Sequence, residues 1–286
     1  MSTEFSVLSW NLWFGGTKMT DGRAKQIALM QDEAADILCL QECWGDGGIA
    51  IARGLGYGIA QQAFDTAVAS RWPVTLLPTD TAPYATAARV DAPDGPLLVW
   101  SVHLAPEDYG PYRAAELPDA APEVFAQSGE QLRDEQAADV LAATEALLAS
   151  LPDGTPVIIA GDFNVPSPAD WDGRLRPDAA WPATTRLLEA GFTDAFRIVH
   201  PDPVAAPGLT WSHIHTLEDE PRDRIDFIFA RGLTVADCWH LGQAPDPDAA
   251  ADAGLRDTGG QAAYIPDHAE NAFASDHLAV RAQLFR

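Results

Sequence analysis

The chain has 286 residues, 47% of them hydrophobic, which is enough for one large domain with a full core or for two small ones. Its 18 basic and 42 acidic residues give a formal net charge of −24, which argues against a broad cationic surface for nucleic acid or an anionic membrane. This charge does not exclude a nuclease, because a bound divalent cation can supply positive charge locally.

Cysteine content and hydropathy narrow the class of protein further. Cys39, Cys43 and Cys238 are too few for a disulfide framework and lack the partners of a zinc site, so we expect all three to be reduced and packed. No apolar stretch approaches the ~20 residues of a membrane-spanning helix, and the N-terminus shows no signal peptide. These observations favour a cytoplasmic protein without a membrane span.

The first half of the chain alternates short apolar runs with turn-forming residues. We predict helices over Asp21–Ala35, with Asp21 as the N-cap, and over Ala50–Leu55. The predicted strands are Phe5–Leu12, Asp36–Gln41, Tyr57–Gln61, Thr66–Ser70, Val74–Leu77, Ala85–Val90 and Leu97–Leu104.

The second half contains the helix with the clearest apolar spacing, Ser128–Leu151, in which Leu132 and Val140 belong to the apolar set. Another helix is predicted over Ala183–Ala190, and Thr193–Val199 fits either a helix or a strand. The predicted strands are Val157–Ala160, Leu209–Ser212, Arg224–Ala230, Leu233–Leu241 and His277–Phe285. No repeat or composition shift divides the chain, so we predict one α/β or α+β domain over residues 1–286, with a loop insertion at about 242–275.

The stretch Val157–Pro168 places a carboxylate and an amide at the end of a buried strand. Gly161 allows the backbone to bend or to approach another group closely. Asp162 and Asn164 are two residues apart, so they point to the same side of an extended chain. An Asx turn that closes the strand explains this pair equally well when the stretch is taken alone.

Polar residues stand at the ends of several other apolar strands. Each one alone has a structural explanation, such as a turn residue, a solvated strand end or a buried histidine with satisfied hydrogen bonds. If their strands share one sheet edge, however, these side chains converge on one spot. The set consists of Asn11, Glu42, His103, Asp162, Asn164, Asp226, Asp276 and His277.

These residue types suit phosphoryl transfer assisted by a hard divalent cation. The oxygens of Glu42, Asp276 and Asn11 favour magnesium, manganese or calcium over zinc. A histidine can act as general acid or base near neutral pH, and a neighbouring aspartate can fix its tautomer. Asn164 offers an amide donor for a phosphoryl oxygen whose charge grows in the transition state.

Seven short motifs in order resemble those of the endonuclease/exonuclease/phosphatase superfamily, whose relatives include pancreatic-type deoxyribonuclease, abasic-site endonucleases, inositol-polyphosphate phosphatases and neutral sphingomyelinases. Each motif alone is a weak signal, but together they extend from residue 9 to residue 277 and cover nearly the whole chain. The motifs are Ser9-Trp10-Asn11, Leu40-Gln41-Glu42, Ser70-Arg71-Trp72-Pro73-Val74, Ser101-Val102-His103-Leu104, Gly161-Asp162-Phe163-Asn164, Arg224-Ile225-Asp226-Phe227-Ile228 and Ser275-Asp276-His277.

The resemblance implies a four-layer α/β sandwich, in which two packed, mainly antiparallel sheets are flanked by helices. The active site of such a fold lies where the two sheets meet at one edge. The resemblance also implies that Asn11 and Glu42, with Asp276 nearby, hold Mg²⁺ or Mn²⁺. Whether one or two metal ions act is left open by the motifs.

The resemblance further implies catalytic roles for five residues. Asp162 and Asn164 position and activate the attacking water and stabilise the phosphoryl group. His277, oriented by Asp226, acts as general base or phosphate ligand. His103 protonates the leaving oxygen or stabilises the charged intermediate.

Two features bear on the branch of the superfamily. His103-Leu104 is the pattern of the nuclease, lipase-like and phosphatase branches, whereas abasic-site enzymes generally carry a tyrosine-containing motif there. Separately, the spacing of Asp65 suggests that it supports His103. The acidic charge and the lack of a Lys/Arg-rich stretch disfavour long nucleic acid, and the lack of a visible signal peptide disfavours a secreted sphingomyelinase.

We therefore predict a metal-dependent hydrolase of a phosphodiester or phosphomonoester of a small organic molecule. Two alternatives stay open. The first is a nuclease that acts on short or single-stranded nucleic acid through the same site. The second is a non-catalytic binding domain of the same fold, which the intact motif positions disfavour.

Four loops are expected to determine substrate selectivity. Trp171 and Trp181 in these loops either stack on the substrate or pack into the protein. His213 and His215 have the spacing of a second metal or phosphate contact, although surface histidines are the favoured interpretation. The loops are Tyr109–Gln127, Pro166–Pro182, His213–Arg222 and Gly242–Ser275.

Overall fold

Two β-sheets of unequal size form the centre of the structure. The computed structural model describes residues 3–117, 119, 121, 129–171, 180–220, 222–243 and 252–286. Within this part of the chain, one sheet has seven strands and the other has six.

The seven-stranded sheet contains the first and the last strand of the chain side by side. From one edge to the other, its strands are β12 (Leu255–Asp257), β11 (Thr234–Gly242), β13 (Ala279–Phe285), β1 (Glu4–Asn11), β2 (Ile37–Gln41), β4 (Ala67–Ser70) and β3 (Gly58–Ala60). Two neighbouring pairs, β1–β2 and β11–β12, are parallel and the others are antiparallel.

The six-stranded sheet carries the central stretch that ends in Asp162. Its strands are, in order, β5 (Val74–Leu76), β6 (Ala85–Ala92), β7 (Gly95–His103), β8 (Val157–Asp162), β10 (Asp226–Arg231) and β9 (Thr193–Asp194). Only β7–β8 is parallel among these neighbouring described strands, so the prediction of mainly antiparallel sheets is confirmed.

Six helices in the described part of the chain lie on the outer faces of the sheets, and a seventh, α7 (Ala195–Val199), packs into the apolar layer between them. The six are α1 (Gly22–Glu33), α2 (Gly47–Leu55), α3 (Gly110–Glu116), α4 (Gly129–Leu148), α5 (Pro168–Trp171) and α6 (Pro182–Glu189), with short 3₁₀ helices at Phe14–Gly16 and Asp267–Glu270. No helix in the described ranges is both long and apolar enough to cross a membrane.

Three apolar layers separate the sheets and helices. Val7 and Ile158 belong to the layer between the two sheets. Val140 of α4 packs in the layer outside the six-stranded sheet, and Met30 of α1 packs in the layer outside the seven-stranded sheet. Because each layer is bounded by a sheet or by helices, the arrangement is the expected four-layer α/β sandwich.

Three local predictions are wrong for identifiable reasons. Asp21 precedes α1 but has a left-handed backbone (φ 52°) and makes no side-chain capping bond, whereas a capping residue needs an extended backbone. Leu132 is largely exposed, because the buried face of α4 runs through Arg133, Ala137 and Val140. Leu209–Ser212 is not a strand and makes only an isolated bridge between Trp211 and Asp223.

Thr193–Val199, which fitted both helix and strand, forms a two-residue strand followed by α7. Asp194 caps this helix by accepting hydrogen bonds from the backbone N–H groups of Phe196 and Arg197. The three cysteines are free and buried, as predicted. Ser128 and parts of all four predicted selectivity loops lie outside the described residues.

Candidate active site

The strand ends that carry the candidate residues meet at one edge of the two sheets. The parallel pair β1–β2 ends with Asn11 opposite Gln41, and the parallel pair β7–β8 ends with His103 opposite Asp162. The antiparallel strand β10 begins there, with Asp226 opposite Asp162. Since β13 is antiparallel to β1, the segment that precedes it also reaches this edge. The predicted convergence of polar residues is therefore present.

Gly161 allows the two strands β7 and β8 to approach each other at this edge. Its φ is 151°, and a Cβ atom at this position would lie 1.9 Å from the carbonyl oxygen of Val102. A side chain would therefore displace the backbone of β7. The glycine thus lets His103 and Asp162 stand side by side.

The first histidine–aspartate pair is fully enclosed. The Nδ1 of His277 lies 2.9 Å from Oδ2 of Asp226, and both side chains are buried. The Oγ1 of Thr210 accepts hydrogen bonds from the backbone N–H groups of Ile225 and Asp226, which fixes the start of β10. Burial lowers the pKa of His277, but the neighbouring carboxylates outweigh this effect and hold that pKa well above its ordinary value.

The second pair joins His103 to Asp65, the residue that its spacing had suggested. The Nδ1 of His103 lies 2.8 Å from Oδ2 of Asp65, and the indole N–H of Trp44 donates to Oδ1 of Asp65 at 3.2 Å. Burial lowers the pKa of His103, but the hydrogen bond that it makes to Asp65 and the charge of Asp162 raise it to about 9. His103 is therefore protonated at neutral pH.

Asp162 lies between the two pairs. Its Oδ2 is 3.7 Å from Nε2 of His103 and 3.7 Å from Nε2 of His277, and it accepts a 3.0 Å hydrogen bond from Nδ2 of Asn11. Its Oδ1 accepts a 2.8 Å bond from the backbone N–H of Asn164. Burial raises the pKa of Asp162, and the two histidines oppose that rise. One carboxylate is thus shared by both imidazoles.

Glu42 and Asp276 offer the oxygens that fit a hard cation. Oε2 of Glu42 accepts the backbone N–H of Phe14 at 2.7 Å. Oδ2 of Asp276 accepts the indole N–H of Trp211 at 3.0 Å, while its Oδ1 is buried without a hydrogen-bond partner. Burial, and in smaller part the charge of Glu42, raises the pKa of Asp276. A divalent cation would satisfy the free oxygen and offset the repulsion between the carboxylates.

Asn11, the third predicted metal ligand, presents its amide nitrogen to the carboxylates. Nδ2 donates to Asp162 at 3.0 Å and to Glu42 at 3.3 Å, whereas Oδ1 accepts the backbone N–H of Trp13. Its oxygen would have to turn toward the site to bind a cation, so its role as a ligand stays a prediction.

One other group could hold a metal ion. Among the described residues, Asp162, Asp226 and His277 can each bring one ligand atom within 4.8 Å of the others. Two members of this group, His277 and Asp226, already share a hydrogen bond through Nδ1. The predicted second-metal histidines, His213 and His215, do not belong to it.

Several predicted residues take other positions or bonds. Asn164 donates one amide hydrogen to the carbonyl of Leu104 at 2.9 Å, which leaves its second amide hydrogen for a substrate. Trp171 and Trp181 are buried edge to face at 4.8 Å between ring centroids, so they pack into the protein. His213 is also buried, so the surface interpretation is wrong for it.

Two residues not predicted from the sequence, Trp211 and Trp44, hold carboxylates of the site through their indole N–H groups. Trp44 lies two residues after Glu42 in the sequence, and this proximity to a motif residue could have indicated its role. Trp211 carries no local signal, because it lies 65 residues from Asp276 along the chain.

Comparison with known proteins agrees with this geometry. A family model described as the Endonuclease/Exonuclease/phosphatase family matches residues 8–277. An uncharacterized protein of Caenorhabditis elegans is 35% identical over 144 residues, a match that covers 44% of this chain and 39% of that protein. The chain thus spans well under half the length of this curated relative.

Solved structures show the same fold. The endonuclease/exonuclease/phosphatase from Bacteroides vulgatus has a TM-score of 0.62 at 16% identity, with 99% of this chain and 98% of that chain covered. D. rerio TDP2, solved with a single strand DNA product, has a TM-score of 0.61 at 17% identity, with 99% of each chain covered. Truncated Caenorhabditis elegans TDP2 has a TM-score of 0.58 at 16% identity, with 99% and 98% covered.

Members of the matched family hydrolyse phosphoric esters and generally use divalent metal ions. The family model covers nearly the whole chain, and its motif residues meet at one edge of the expected sandwich. This protein therefore belongs to the endonuclease/exonuclease/phosphatase family.

Proposed function

We propose that this protein is a divalent-metal-dependent hydrolase that cleaves a phosphodiester or phosphomonoester of a small organic molecule. The observation that carries this proposal is the position of Asp162 between two histidine–aspartate pairs, with Nε2 of each histidine 3.7 Å from the same carboxylate oxygen. A phosphoryl group bound in front of Asp162 would meet both imidazoles and an activating carboxylate together.

Asp162 is suited to position and deprotonate the attacking water. Its side chain is buried and held by Asn11 and by the backbone of Asn164, so its orientation is fixed before the substrate arrives. Burial raises its pKa, which makes Asp162 a stronger base than a carboxylate in water.

The two histidines are suited to the opposite task, which is to donate a hydrogen bond or a proton. The pKa of His103 is raised to about 9 and that of His277 well above its ordinary value, so the surroundings of both favour the protonated form. A protonated His277, enclosed beside Asp226, fits a phosphoryl-oxygen ligand better than a general base. His103 is more exposed and fits the acid that protonates the leaving oxygen.

Glu42 and Asp276 are the residues that would hold the cation, with Asn11 as a third ligand if its amide turns. When bound there, a divalent cation offsets the negative charge on the phosphoryl oxygens. The second amide hydrogen of Asn164 adds a neutral donor on the same side.

A small substrate is supported by charge. The chain has a net charge of −24, and one arginine in each of α1 and α3 is already paired with an acid. Arg23 lies 2.7 Å from Asp46, and Arg113 lies 2.5 Å from Asp108. Long nucleic acid is bound through many unpaired cations along a groove, which this composition disfavours.

A nuclease for short or single-stranded nucleic acid is the second candidate. The observation in its favour is the fold similarity to D. rerio TDP2, which was solved with a single strand DNA product. The same catalytic groups would serve both substrates, so only turnover distinguishes them.

The test is hydrolysis of bis(p-nitrophenyl) phosphate and p-nitrophenyl phosphate, in parallel with plasmid DNA and a short single-stranded oligonucleotide. Each reaction is run with magnesium, with manganese and with EDTA, and with the Asp162→Ala variant as a control for contaminating enzymes. We expect turnover of a small ester that EDTA abolishes and that added metal restores.

Each other result has a defined meaning. Cutting of the oligonucleotide with intact small esters would replace the proposal by the nuclease. Equal rates with EDTA would contradict metal dependence. Absence of any turnover by the wild-type protein, together with no binding of Mg²⁺ or Mn²⁺ in calorimetry, would support the non-catalytic alternative.

A further inference from the structure

Three aromatic side chains, of which Trp44 and Phe64 are exposed and Phe14 is half-buried, lie together beside the catalytic edge, and we call them the aromatic shelf. The ring centroids of Phe14 and Trp44 are 4.4 Å apart and those of Trp44 and Phe64 are 5.8 Å apart, both edge to face. Trp44 is 42% exposed and Phe64 is 62% exposed. None of the three belongs to the apolar layers of the fold.

The aromatic shelf is joined to catalytic groups by two hydrogen bonds. The indole N–H of Trp44 donates to Asp65, whose other oxygen is bonded to His103. The backbone N–H of Phe14 donates to Oε2 of Glu42 at 2.7 Å. The shelf therefore lies on the His103 side of the site, and its position is tied to that of the catalytic carboxylates.

The backbone at the shelf is held in an unfavourable conformation. Trp13 and Phe14 have φ values of 50° and 55°, which bulky residues rarely adopt. This conformation directs the N–H of Trp13 to Asn11 and the N–H of Phe14 to Glu42. Glycine would adopt this conformation more easily, so the backbone conformation does not explain why aromatic residues stand at these two positions.

Lys18 adds a cation to the shelf. Its Nζ lies 4.3 Å from the centroid of the Phe14 ring, and its side chain is exposed. Among the described residues, no carboxylate lies within ion-pair distance of it. The shelf thus combines exposed ring surface with a positive charge at its border.

We propose that the aromatic shelf binds the part of the substrate on the His103 side of the phosphorus, and that this part carries a flat aromatic ring. The inference rests on the proposed phosphoesterase function, in which His103 protonates the leaving group. Rings at near right angles present both faces and edges, and an incoming aromatic ring can pack on either. Scattered exposed apolar residues need no explanation, whereas these three rings contact one another and form a contiguous apolar surface beside groups of the site.

The test compares two non-hydrolysable probes that share a phosphonate group: benzylphosphonate, which carries a ring, and methylphosphonate, which does not. Both are titrated by calorimetry into the Mg²⁺-loaded protein, and the ratio of their dissociation constants is measured. Damage to the metal site changes both constants equally, so the ratio isolates the ring contact. We expect benzylphosphonate to bind about three- to tenfold more tightly, as one aromatic contact provides.

Phe64 is the cleanest position to alter, because its side chain is exposed and makes no hydrogen bond. In Phe64→Ala the ratio should fall toward one, whereas Phe64→Tyr, which keeps a ring, should preserve it. Ile198→Ala is the matched control, since Ile198 is equally exposed (61%) on α7. Its ratio should equal that of the wild type.

Failure of this inference and failure of the proposed function give different results. A wild-type ratio of one, or a ratio that Phe64→Ala and Trp44→Ala both leave unchanged, would overturn the shelf while the protein still hydrolyses p-nitrophenyl esters. Absence of binding of both phosphonates, with no ester turnover, would overturn the proposed function and the shelf with it.

Discussion

The two histidine–aspartate pairs have almost the same geometry but differ in burial. In both, Nδ1 lies 2.8–2.9 Å from an aspartate oxygen and Nε2 lies 3.7 Å from Asp162. The side chains of His277 and Asp226 are 5% and 0% exposed, whereas those of His103 and Asp65 are 14% and 22% exposed. The two pairs make the same contacts but differ in solvent exposure, so we expect them to have different roles.

Solvent access explains the difference. The carboxylates around the buried His277 hold its pKa well above the ordinary value, so we expect His277 to provide a fixed positive charge. His103, with a pKa raised to about 9 and a partly exposed ring, can give its proton to a leaving group and recover one from water. The buried pair should matter for stability and charge, and the exposed pair for proton transfer.

The largest effect is expected where both pairs meet. Asp162→Ala removes the carboxylate that orients water and faces both imidazoles, so we expect kcat to fall at least about hundredfold while the fold is kept. Activity assays and a thermal melt of the purified variant measure the two properties. Turnover above about a tenth of the wild-type rate would exclude Asp162 from the chemistry.

The buried pair comes next. Asp226→Ala leaves His277 without its enclosed partner, and loss of one member of a buried ion pair costs about 3–5 kcal/mol. We expect a lower free energy of unfolding in urea together with loss of activity. An unchanged unfolding midpoint would show that the buried pair contributes no net stability.

The exposed pair should change pH dependence more than stability. Asp65→Asn removes the charge that helps to raise the pKa of His103, so protonated His103 is lost at lower pH than about 9. The alkaline limb of the kcat profile should move to lower pH, with about a tenfold loss at pH 8, while stability changes by no more than about 1 kcal/mol. An alkaline limb at the same pH in both proteins would assign that limb to another group.

The smallest effect is expected at Trp44, whose indole hydrogen bond goes to Asp65 rather than to His103. Trp44→Phe removes the indole N–H that donates to Asp65 at 3.2 Å but keeps an aromatic ring. Because this bond is partly exposed, we expect only about a two- to threefold loss in kcat, in the same direction as Asp65→Asn. A loss as large as that of Asp65→Asn would indicate that the indole, rather than the carboxylate, positions His103.

Much of the site could be predicted from the chain because its residues stand where apolar runs end. An apolar run that stops at Asn11, His103 or Asp162 marks a strand tip, and parallel neighbours end at the same edge. The resemblance then ordered these tips into a catalytic set. Asp65 was placed by spacing alone, and its 2.8 Å contact with His103 supports that expectation.

Predictions that failed depended on packing between distant segments. Leu132 has helical spacing but faces away from the layer that Val140 enters, and the hydropathy of α4 alone does not decide which face is covered. For Trp171 and Trp181 the sequence left stacking on the substrate and packing into the protein open, and the structure shows that they pack against each other. In both cases the neighbouring element, rather than local sequence, determined burial.

The sequence by itself determined which polar residues stand at the ends of apolar strands and their chemical types, because apolar periodicity and turn formers act locally. Only the tertiary structure decided that one histidine pair is buried and the other open, that Trp211 holds Asp276 across 65 residues, and that three aromatic rings stand beside His103. These features depend on which surfaces the sheets and loops bring together, because burial and neighbouring charges determine the interaction energy and the pKa of each group.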